Sequence, residues 1–185
     1  EVILTPAEIG IEGSRDLAFK LRDEKGYTLL NQFENHDNWK AHYKTTGPEI
    51  WKATDGKITH FVSAMGTTGT ITGTSTYLKE QNKDVTIVGA QPADGARIPG
   101  IRKWSPDYVP KFFDPKKVDI VVDVSEEDAK ATTIKLAKEE GVFAGMSSGG
   151  SVFCALTIAE QINEGVIVAI ICDRGDRYLS SSLFE

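Results

Sequence analysis

The stretch ITHFVSAMGTTGTITGTSTYLK, residues 58–79, carries the clearest structural pattern in the chain. It opens with a β-branched and apolar run over residues 58–63, turns through glycine and threonine, and continues with helical spacing over residues 71–79. A buried strand, a tight turn and a helix in this order make up the first part of a βαβ unit. The stretch therefore predicts an α/β protein.

The same rhythm recurs on both sides of this stretch. Further strands are predicted at residues 2–4, 28–32, 85–90, 118–124 and 166–171. Helices are predicted after the N-cap Ser125, after the pair Gly149-Gly150, and over a short segment from Pro48 through Trp51. Several strands are apolar on both faces, as buried parallel strands are. The expected fold is a mainly parallel sheet flanked by helices.

The composition and net charge of the chain argue against some classes of binding partner. The 185 residues carry 27 acidic against 21 basic side chains, a net charge of −6, which argues against a nucleic-acid or anionic membrane surface. The longest apolar run, residues 166–172, is too short to cross a bilayer. Cys154 and Cys172 do not share a CxxC spacing, so we expect a reducing compartment, the cytoplasm.

The turn inside the opening stretch is a candidate anion site formed by Gly66, Thr67, Thr68, Gly69 and Thr70. Its glycines let the backbone turn tightly, and the helix that follows offers unpaired N–H groups and the positive end of its dipole. A phosphate is the natural guest. The loop lacks the lysine of a Walker A motif and the GxGxxG spacing of a dinucleotide site, and an ordinary glycine-rich turn explains it equally well.

A second motif, residues 145–149, has the GxSxG pattern of a hydrolase nucleophile elbow around Ser147. That mechanism requires a histidine downstream of the serine, whereas His36, His42 and His60 all lie upstream. A serine hydrolase is therefore a weak alternative. These histidines also lack metal-ligand spacing, so no metal site is predicted. What remains is the Ser147 hydroxyl at a helix N-terminus, at the sheet edge where α/β proteins bind ligands.

Two loops extend the expected ligand edge. Residues 173–177, Asp-Arg-Gly-Asp-Arg, follow the last predicted strand and are equally consistent with a site or with an ion-paired turn. Residues 91–117 hold five of the seven prolines and exceed the usual connection length, which favours a functional loop.

Four motifs now stand in a recognisable order: SAMGTTGTITG at 63–73, GARIPGI at 95–101, MSSGG at 146–150 and ICDRGDRYLS at 171–180. In order and approximate spacing they resemble the cysteine synthases, the O-acetylserine sulfhydrylases of the tryptophan-synthase-β-like fold (fold type II of pyridoxal-phosphate enzymes). The last motif and TTGPEIW at 45–51 are similar to the B type of this family.

The resemblance implies a division of the chain. Residues 1–32 would be the last part of the small mobile domain and residues 33–185 most of the large cofactor-binding domain. The family's cofactor-binding lysine and its substrate-carboxylate loop belong to an N-terminal third that nothing here resembles. We therefore expect the chain to correspond to the C-terminal three-fifths of a subunit and to be inactive by itself.

The resemblance also implies roles around pyridoxal 5′-phosphate. Residues 66–70 would hold the cofactor phosphate, Ser147 would bond the pyridine nitrogen, and Cys172 and Asp173 would lie near the ring edge. A neutral hydroxyl does not force the ring nitrogen to be protonated, which suits β-elimination better than transamination.

For the substrates, the resemblance places Gln32 near the substrate carboxylate and Arg102 where a cation suits an anionic sulfur donor. The implied reaction is a β-replacement: O-acetylserine and a sulfur donor, sulfide or thiosulfate, give cysteine or S-sulfocysteine plus acetate. The expected assembly is a homodimer. Two alternatives stay open: a non-catalytic anion- or cofactor-binding α/β module, and a related pyridoxal-phosphate lyase such as cystathionine β-synthase.

Overall fold

The computed structural model describes residues 1–184 and centres on one four-stranded sheet. Its strands are β1 (His60–Ala64), β2 (Thr86–Pro92), β3 (Ile120–Val124) and β4 (Ile167–Ala169). The spatial order is β3-β2-β1-β4, and every neighbouring pair is parallel. The predicted α/β class with a mainly parallel sheet is confirmed.

Six α-helices surround the sheet: α1 (Gly10–Lys25), α2 (Asp37–Lys44), α3 (Thr46–Ala53), α4 (Gly69–Gln81), α5 (Glu126–Glu139) and α6 (Met146–Ala159). Short 3₁₀ helices lie at Ala7–Ile9, Pro106–Tyr108, Pro115–Lys117, Gly175–Tyr178 and Ser182–Phe184. The opening stretch folds as predicted, with β1, a turn and α4 in sequence.

Alternation along the strands builds a core on each face of the sheet. Phe61 packs with the residues of α4, whereas its neighbour Val62 packs with those of α6. Ile87 and Val88 of β2 divide between the same two clusters, and all four side chains are fully buried. Successive strand side chains point to opposite faces, so a sheet covered on both sides needs apolar residues at every position.

The connection between α5 and α6 explains how α6 reaches the ligand edge. Ser125 caps α5, since its side chain accepts a hydrogen bond from the Asp128 N–H, as the sequence predicted. Residues 141–145 then form neither helix nor strand, apart from an antiparallel bridge between Ala144 and Arg174. This short connection leads to Ser147 in the first turn of α6, which lines the same cleft as Ala64 at the end of β1. Thus α6 starts beside the carboxyl ends of the strands.

Two predicted strands are wrong. Residues 1–6 and 26–31 form neither strand nor helix, and Val2 and Leu4 are 82% and 88% exposed. A β-branched run becomes a strand only when a neighbour satisfies its backbone groups, and no strand among residues 1–184 pairs with these runs. Helices α1 and α2 were not predicted, and α6 begins three residues before the Gly149-Gly150 pair.

Candidate functional site at the sheet's switch point

A cleft of about 240 Å³ opens where β1 and β4 end. The chain leaves β1 for β2 on one side and returns through α5 and α6 to β4 on the other, so β1 and β4 flank the topological switch point at which open α/β sheets bind ligands. The cleft is lined by Ala64, Gly66, Thr67, Thr68, Thr70, Gly100, Ser147, Cys172 and Asp173. Seven of the eight predicted cofactor-binding residues are among these; the eighth, Gly69, is not.

The loop before α4 is held in a tight, unusual conformation. Thr68 has φ 66°, in the left-handed region that side chains other than glycine rarely adopt. Its hydroxyl donates to the Thr67 carbonyl at 2.6 Å, and the Gly69 N–H donates to the Thr67 hydroxyl at 3.4 Å. Thr67, Thr68 and Thr70 thus line one small volume at the N-terminus of α4, which is the chemistry of an anion site.

The proline-rich stretch 91–117 holds that loop from outside. The Trp104 indole N–H donates to the Gly66 carbonyl at 2.8 Å, and the Arg102 N–H donates to the Met65 carbonyl at 2.8 Å. A Cβ on Gly66 would lie 2.5 Å from the Gly100 carbonyl oxygen, so glycine is needed there for backbone packing. This stretch is therefore an ordered wall of the cleft.

Asn38 braces the same loop from α2. Its side-chain amide donates to the Thr67 hydroxyl at 3.2 Å and to the Gln32 carbonyl at 2.6 Å. A Cβ on Gly69 would collide with the Asn38 side chain, so this glycine makes room for the brace and does not face the cleft. Sequence reasoning missed Asn38, which has no motif around it, and Gly100, which lay within a quoted motif.

Ser147 lies in the first turn of α6 and is 3% exposed. Gly100, at φ 87°, faces it: a Cβ there would lie 3.3 Å from the Ser147 hydroxyl oxygen. Two neighbouring serines attach α6 to the strand ends. Ser148 accepts from the Cys172 N–H at 2.9 Å after β4, and Ser151 accepts from the Ala64 N–H at 3.1 Å at the end of β1.

Asp173 fixes the start of α6 from the other side. One carboxylate oxygen accepts from the Gly145 N–H at 3.2 Å, and the other accepts from the Tyr178 hydroxyl at 2.6 Å. Burial raises the pKa of Tyr178 to about 12, and the hydrogen bond to Asp173 adds to the shift. Asp173 therefore acts as a structural acceptor at the cleft wall.

Cys172 lies at the exposed rim of the cleft, beside Asp173. Desolvation by the surrounding protein raises the pKa of its thiol, and the negative charge of Asp173 raises it further, although nearby serine hydroxyls oppose the shift. The thiol is therefore neutral at physiological pH. A neutral thiol is a poor nucleophile, so Cys172 shapes the rim.

The electrostatics of the cleft favour an anion at the α4 end. Both α4 and α6 begin at the cleft, and their N-terminal dipole ends carry partial positive charge. The carboxylate in the wall, Asp173, is already engaged by Gly145 and Tyr178.

The structure places Arg102 and Gln32 away from this cleft. The Arg102 guanidinium donates to the Ile101 carbonyl at 2.8 Å and lines a separate cavity of about 610 Å³ beside the start of α1. Gln32 is exposed and lines an apolar groove beneath α1 with Phe19 and Leu30. Their roles toward substrate and sulfur donor stay predictions.

Over residues 1–184, no group of three or more His, Cys, Asp or Glu side chains is arranged to hold a metal ion. In the same part of the chain, no helix is both long and apolar enough to cross a membrane.

Comparison with known proteins agrees with the resemblance. The family model described as pyridoxal-phosphate dependent enzyme matches residues 1–173. The chain is 56% identical over 185 residues to cysteine synthase B of Pseudomonas aeruginosa, a match that covers 100% of this chain and 62% of that protein. The chain thus spans about three-fifths of the length of this curated relative, the share expected from the sequence.

Solved structures share the fold closely. The crystal structure of O-ureido-L-serine synthase superposes with a TM-score of 0.90 at 35% identity, over 100% of this chain and 61% of that one. The O-acetylserine dependent cystathionine β-synthase of Helicobacter pylori gives a TM-score of 0.87 at 33% identity, over 100% of this chain and 63% of that one. The chain is thus closer in sequence to cysteine synthase B than to either of these proteins.

The cleft fits pyridoxal phosphate on its own chemistry. Amides and hydroxyls at the α4 end suit a phosphate, and Ser147 in the same cleft offers a neutral hydroxyl to a ring nitrogen. Two glycines leave room in the wall of the cleft. A Cβ at Gly66 would meet the Gly100 carbonyl, and a Cβ at Gly100 would meet Ser147.

Proposed function

We propose, because this chain belongs to the family of pyridoxal-phosphate dependent enzymes, that it forms the cofactor-binding part of a cysteine synthase of the B type. The observation that carries the proposal is the meeting of the 66–70 loop, Ser147 and the 172–173 rim in one cleft. Three segments far apart in the sequence, all assigned to the cofactor by the family resemblance, line the same volume.

The proposed reaction is a β-replacement on O-acetylserine. The bond from Cβ to the acetyl oxygen breaks, acetate leaves, and the sulfur of the donor forms the new bond to Cβ. Sulfide gives cysteine, and thiosulfate gives S-sulfocysteine. Pyridoxal phosphate, when bound, supplies the electron withdrawal that makes the Cα proton removable.

The residues of this chain would bind and orient. The α4 amides and the hydroxyls of Thr67, Thr68 and Thr70 would hold the phosphate, and Ser147 would hold the ring nitrogen without protonating it. Cys172 and Asp173 would limit the ring's edge. Because Asp173 is engaged by Gly145 and Tyr178, this edge is rigid before any ligand arrives.

Gln32 and Arg102 complete the proposal at the substrate side. Gln32 would bind the substrate carboxylate, and Arg102 an anionic donor through paired charge-assisted hydrogen bonds. For that role the Arg102 guanidinium has to give up its bond to the Ile101 carbonyl. A homodimer and a cytoplasmic location, the latter in keeping with two free cysteines, belong to the same proposal.

A second candidate differs in the sulfur donor. The structural match to an O-acetylserine dependent cystathionine β-synthase favours a thiol amino acid as an alternative donor on the same fold. The identity of 56% to cysteine synthase B against 33% for that structure ranks this candidate second.

The test combines cofactor retention with product analysis in the complete protein. Gly69→Leu would collide with Asn38, release Thr67 and disorder the anion loop, so we expect cofactor content to fall at least about tenfold with an unchanged circular-dichroism spectrum. Gly26→Leu, at the open end of α1, is the matched glycine control and should retain the cofactor.

Products are then measured with O-acetylserine and one donor at a time: sulfide, thiosulfate or homocysteine. Faster formation of cysteine from sulfide, or of S-sulfocysteine from thiosulfate, than of cystathionine from homocysteine supports the proposal. Fastest formation of cystathionine would transfer the function to the second candidate. Full cofactor occupancy in Gly69→Leu would remove the loop from the cofactor site.

A further inference from the structure

A histidine stands behind the anion loop. His42, half-buried on α2, places its Nε2 3.2 Å from the Thr70 hydroxyl oxygen and its Nδ1 2.9 Å from the Thr46 hydroxyl oxygen. Thr70 lines the cleft, whereas His42 and Thr46 do not. The imidazole therefore connects the first residue of α3 to a hydroxyl that faces the proposed phosphate.

The position of His42 is fixed by backbone packing. At Gly73 of α4, a Cβ would collide with the Trp39 carbonyl and lie 2.8 Å from the Cβ of His42. Helices α2 and α4 therefore touch at the level of their backbones, one turn beyond Thr70. So close a crossing leaves the imidazole little freedom to withdraw from the hydroxyl.

A neutral imidazole carries one N–H, so its two hydrogen bonds have opposite directions. If Nδ1 donates to Thr46, Nε2 accepts the Thr70 proton, and the Thr70 oxygen presents only lone pairs to the cleft. If Nε2 donates to Thr70, Nδ1 accepts from Thr46, and the Thr70 proton is left to point into the cleft. Only the second arrangement suits an anion.

The surroundings keep this imidazole neutral. Burial lowers the pKa of His42 below its ordinary value, so the ring is uncharged at physiological pH. The Thr46 hydroxyl can donate to Nδ1 or accept from it, so the choice between the two directions is made by the ligand at Thr70, and not by protonation of the ring.

We propose that His42 is a positioning residue whose Nε2–H orients the Thr70 hydroxyl proton toward the cofactor phosphate, while its Nδ1 accepts from the Thr46 hydroxyl. The inference rests on the proposed cofactor site and extends the phosphate-binding set to a second layer on α2 and α3. His42 touches neither cofactor nor substrate, and its whole effect passes through Thr70.

The experiment titrates the cofactor-free complete protein with pyridoxal 5′-phosphate, with pyridoxal and with inorganic phosphate. The variants are His42→Leu, His42→Gln, Thr70→Val and the double variant His42→Leu/Thr70→Val. His36→Leu, a histidine beside the same helix that bonds the Trp39 indole, is the matched control.

We expect His42→Leu to weaken pyridoxal 5′-phosphate and inorganic phosphate about tenfold, the size of one lost charge-assisted hydrogen bond, and pyridoxal less than about twofold. His42→Gln should recover most of the loss, because its amide N–H can reach the same oxygen. In the Thr70→Val background, His42→Leu should have no further effect, since the two residues act as one unit.

A second readout is independent of affinity. Nitrogen-15 NMR of the imidazole should show Nε2 protonated and Nδ1 unprotonated when phosphate is bound. Equal weakening of pyridoxal and pyridoxal 5′-phosphate, or a His42→Leu loss that persists in Thr70→Val, would assign His42 a purely structural role. A wild-type protein that binds none of the three probes would instead overturn the proposed function itself.

Discussion

Helices α6 and α1 have similar lengths, 14 and 16 residues, but hold opposite positions in the molecule. Eight residues of α6 are buried, including the serines that tie it to β1 and β4, whereas no residue of α1 is buried. The cleft at the switch point is built against α6 and α4, while α1 lies beside the separate cavity that Arg102 lines. Close packing of the backbone holds α6 in place, whereas α1 is attached by a few side chains.

The attachment of α1 centres on Arg15. Its guanidinium lies 4.2 Å from the centre of the Phe33 ring, and Nη1 donates to the Tyr108 carbonyl at 2.7 Å. The Tyr108 hydroxyl returns a bond to Asp16 at 2.8 Å. The same loop carries Trp104, which holds the Gly66 carbonyl, so α1 is linked to the anion loop through one aromatic cluster.

The largest effect should come from filling the contact between α5 and α6. A Cβ on Gly149 would collide with the Ala129 carbonyl and the Thr133 hydroxyl, so Gly149→Val forces the two helices apart. We expect a loss of about 3 kcal/mol in the free energy of unfolding, measured by urea denaturation, with cofactor affinity falling as Ser147 shifts.

The matched change on α1 is Gly26→Ala. This residue ends the helix at φ 68° with no atom within 4 Å of a Cβ, so only backbone strain is added, about 1 kcal/mol. If both substitutions cost the same, the contrast between a backbone-packed and a side-chain-attached helix is wrong.

A smaller and local effect should follow Arg15→Leu. Loss of the stacked cation and its hydrogen bond removes about 2 kcal/mol from the docking of α1, so its amides should exchange hydrogen roughly 30-fold faster. Amides of α6 should keep their protection. Arg22→Leu is the control, because Arg22 stacks only on Phe19 of its own helix and pairs with the adjacent Asp23.

Faster exchange in α6 as well would contradict the prediction, because it would mean that α1 and the core open together. Equal acceleration by Arg15→Leu and Arg22→Leu would show that the aromatic cluster around Arg15 does not hold the helix. Either result would mean that α1 unfolds together with the core of the protein.

The same contrast explains what the sequence predicts. Buried strands such as β1 and β2 are evident from their apolar runs, and residues 66–70 and Ser147 from their glycines and hydroxyls. Helix α1 carries apolar residues but none of them is fully buried, and residues 2–4 are an apolar run without a partner strand. The local pattern of apolar residues predicts elements that are buried. It does not predict elements that are held in place by side-chain contacts between distant parts of the chain.

Contacts between residues far apart in the sequence could not be predicted from the sequence either. Asn38 braces Thr67 over 29 residues of chain, and His42 reaches Thr70 over 28. Neither residue is part of a motif, and each owes its place to the packing of α2 on α4. Resemblance assigned Arg102 and Gln32 to the substrate side, where they line cavities other than the cleft, and these roles stay predictions.

The smallest expected effect is the loss of stability when a surface ion pair is removed, and it should differ between α1 and the region around the sheet. Lys20 and Glu24 of α1 lie 3.9 Å apart with more than half of each side chain exposed, whereas Lys79 of α4 lies 2.8 Å from Asp119, which also accepts from the Ile87 N–H.

Lys20→Met should change the free energy of unfolding by about 0.3 kcal/mol or less, and this effect should disappear in 1 M salt, since exposed pairs are screened by solvent and ions. Lys79→Met should cost about 1 kcal/mol, because its partner is held in place by the backbone of β2 and the pair loses less side-chain freedom on forming. Urea denaturation at low and high salt measures both, and a Lys20 effect as large as that of Lys79 would show that α1 contributes to global stability through its surface.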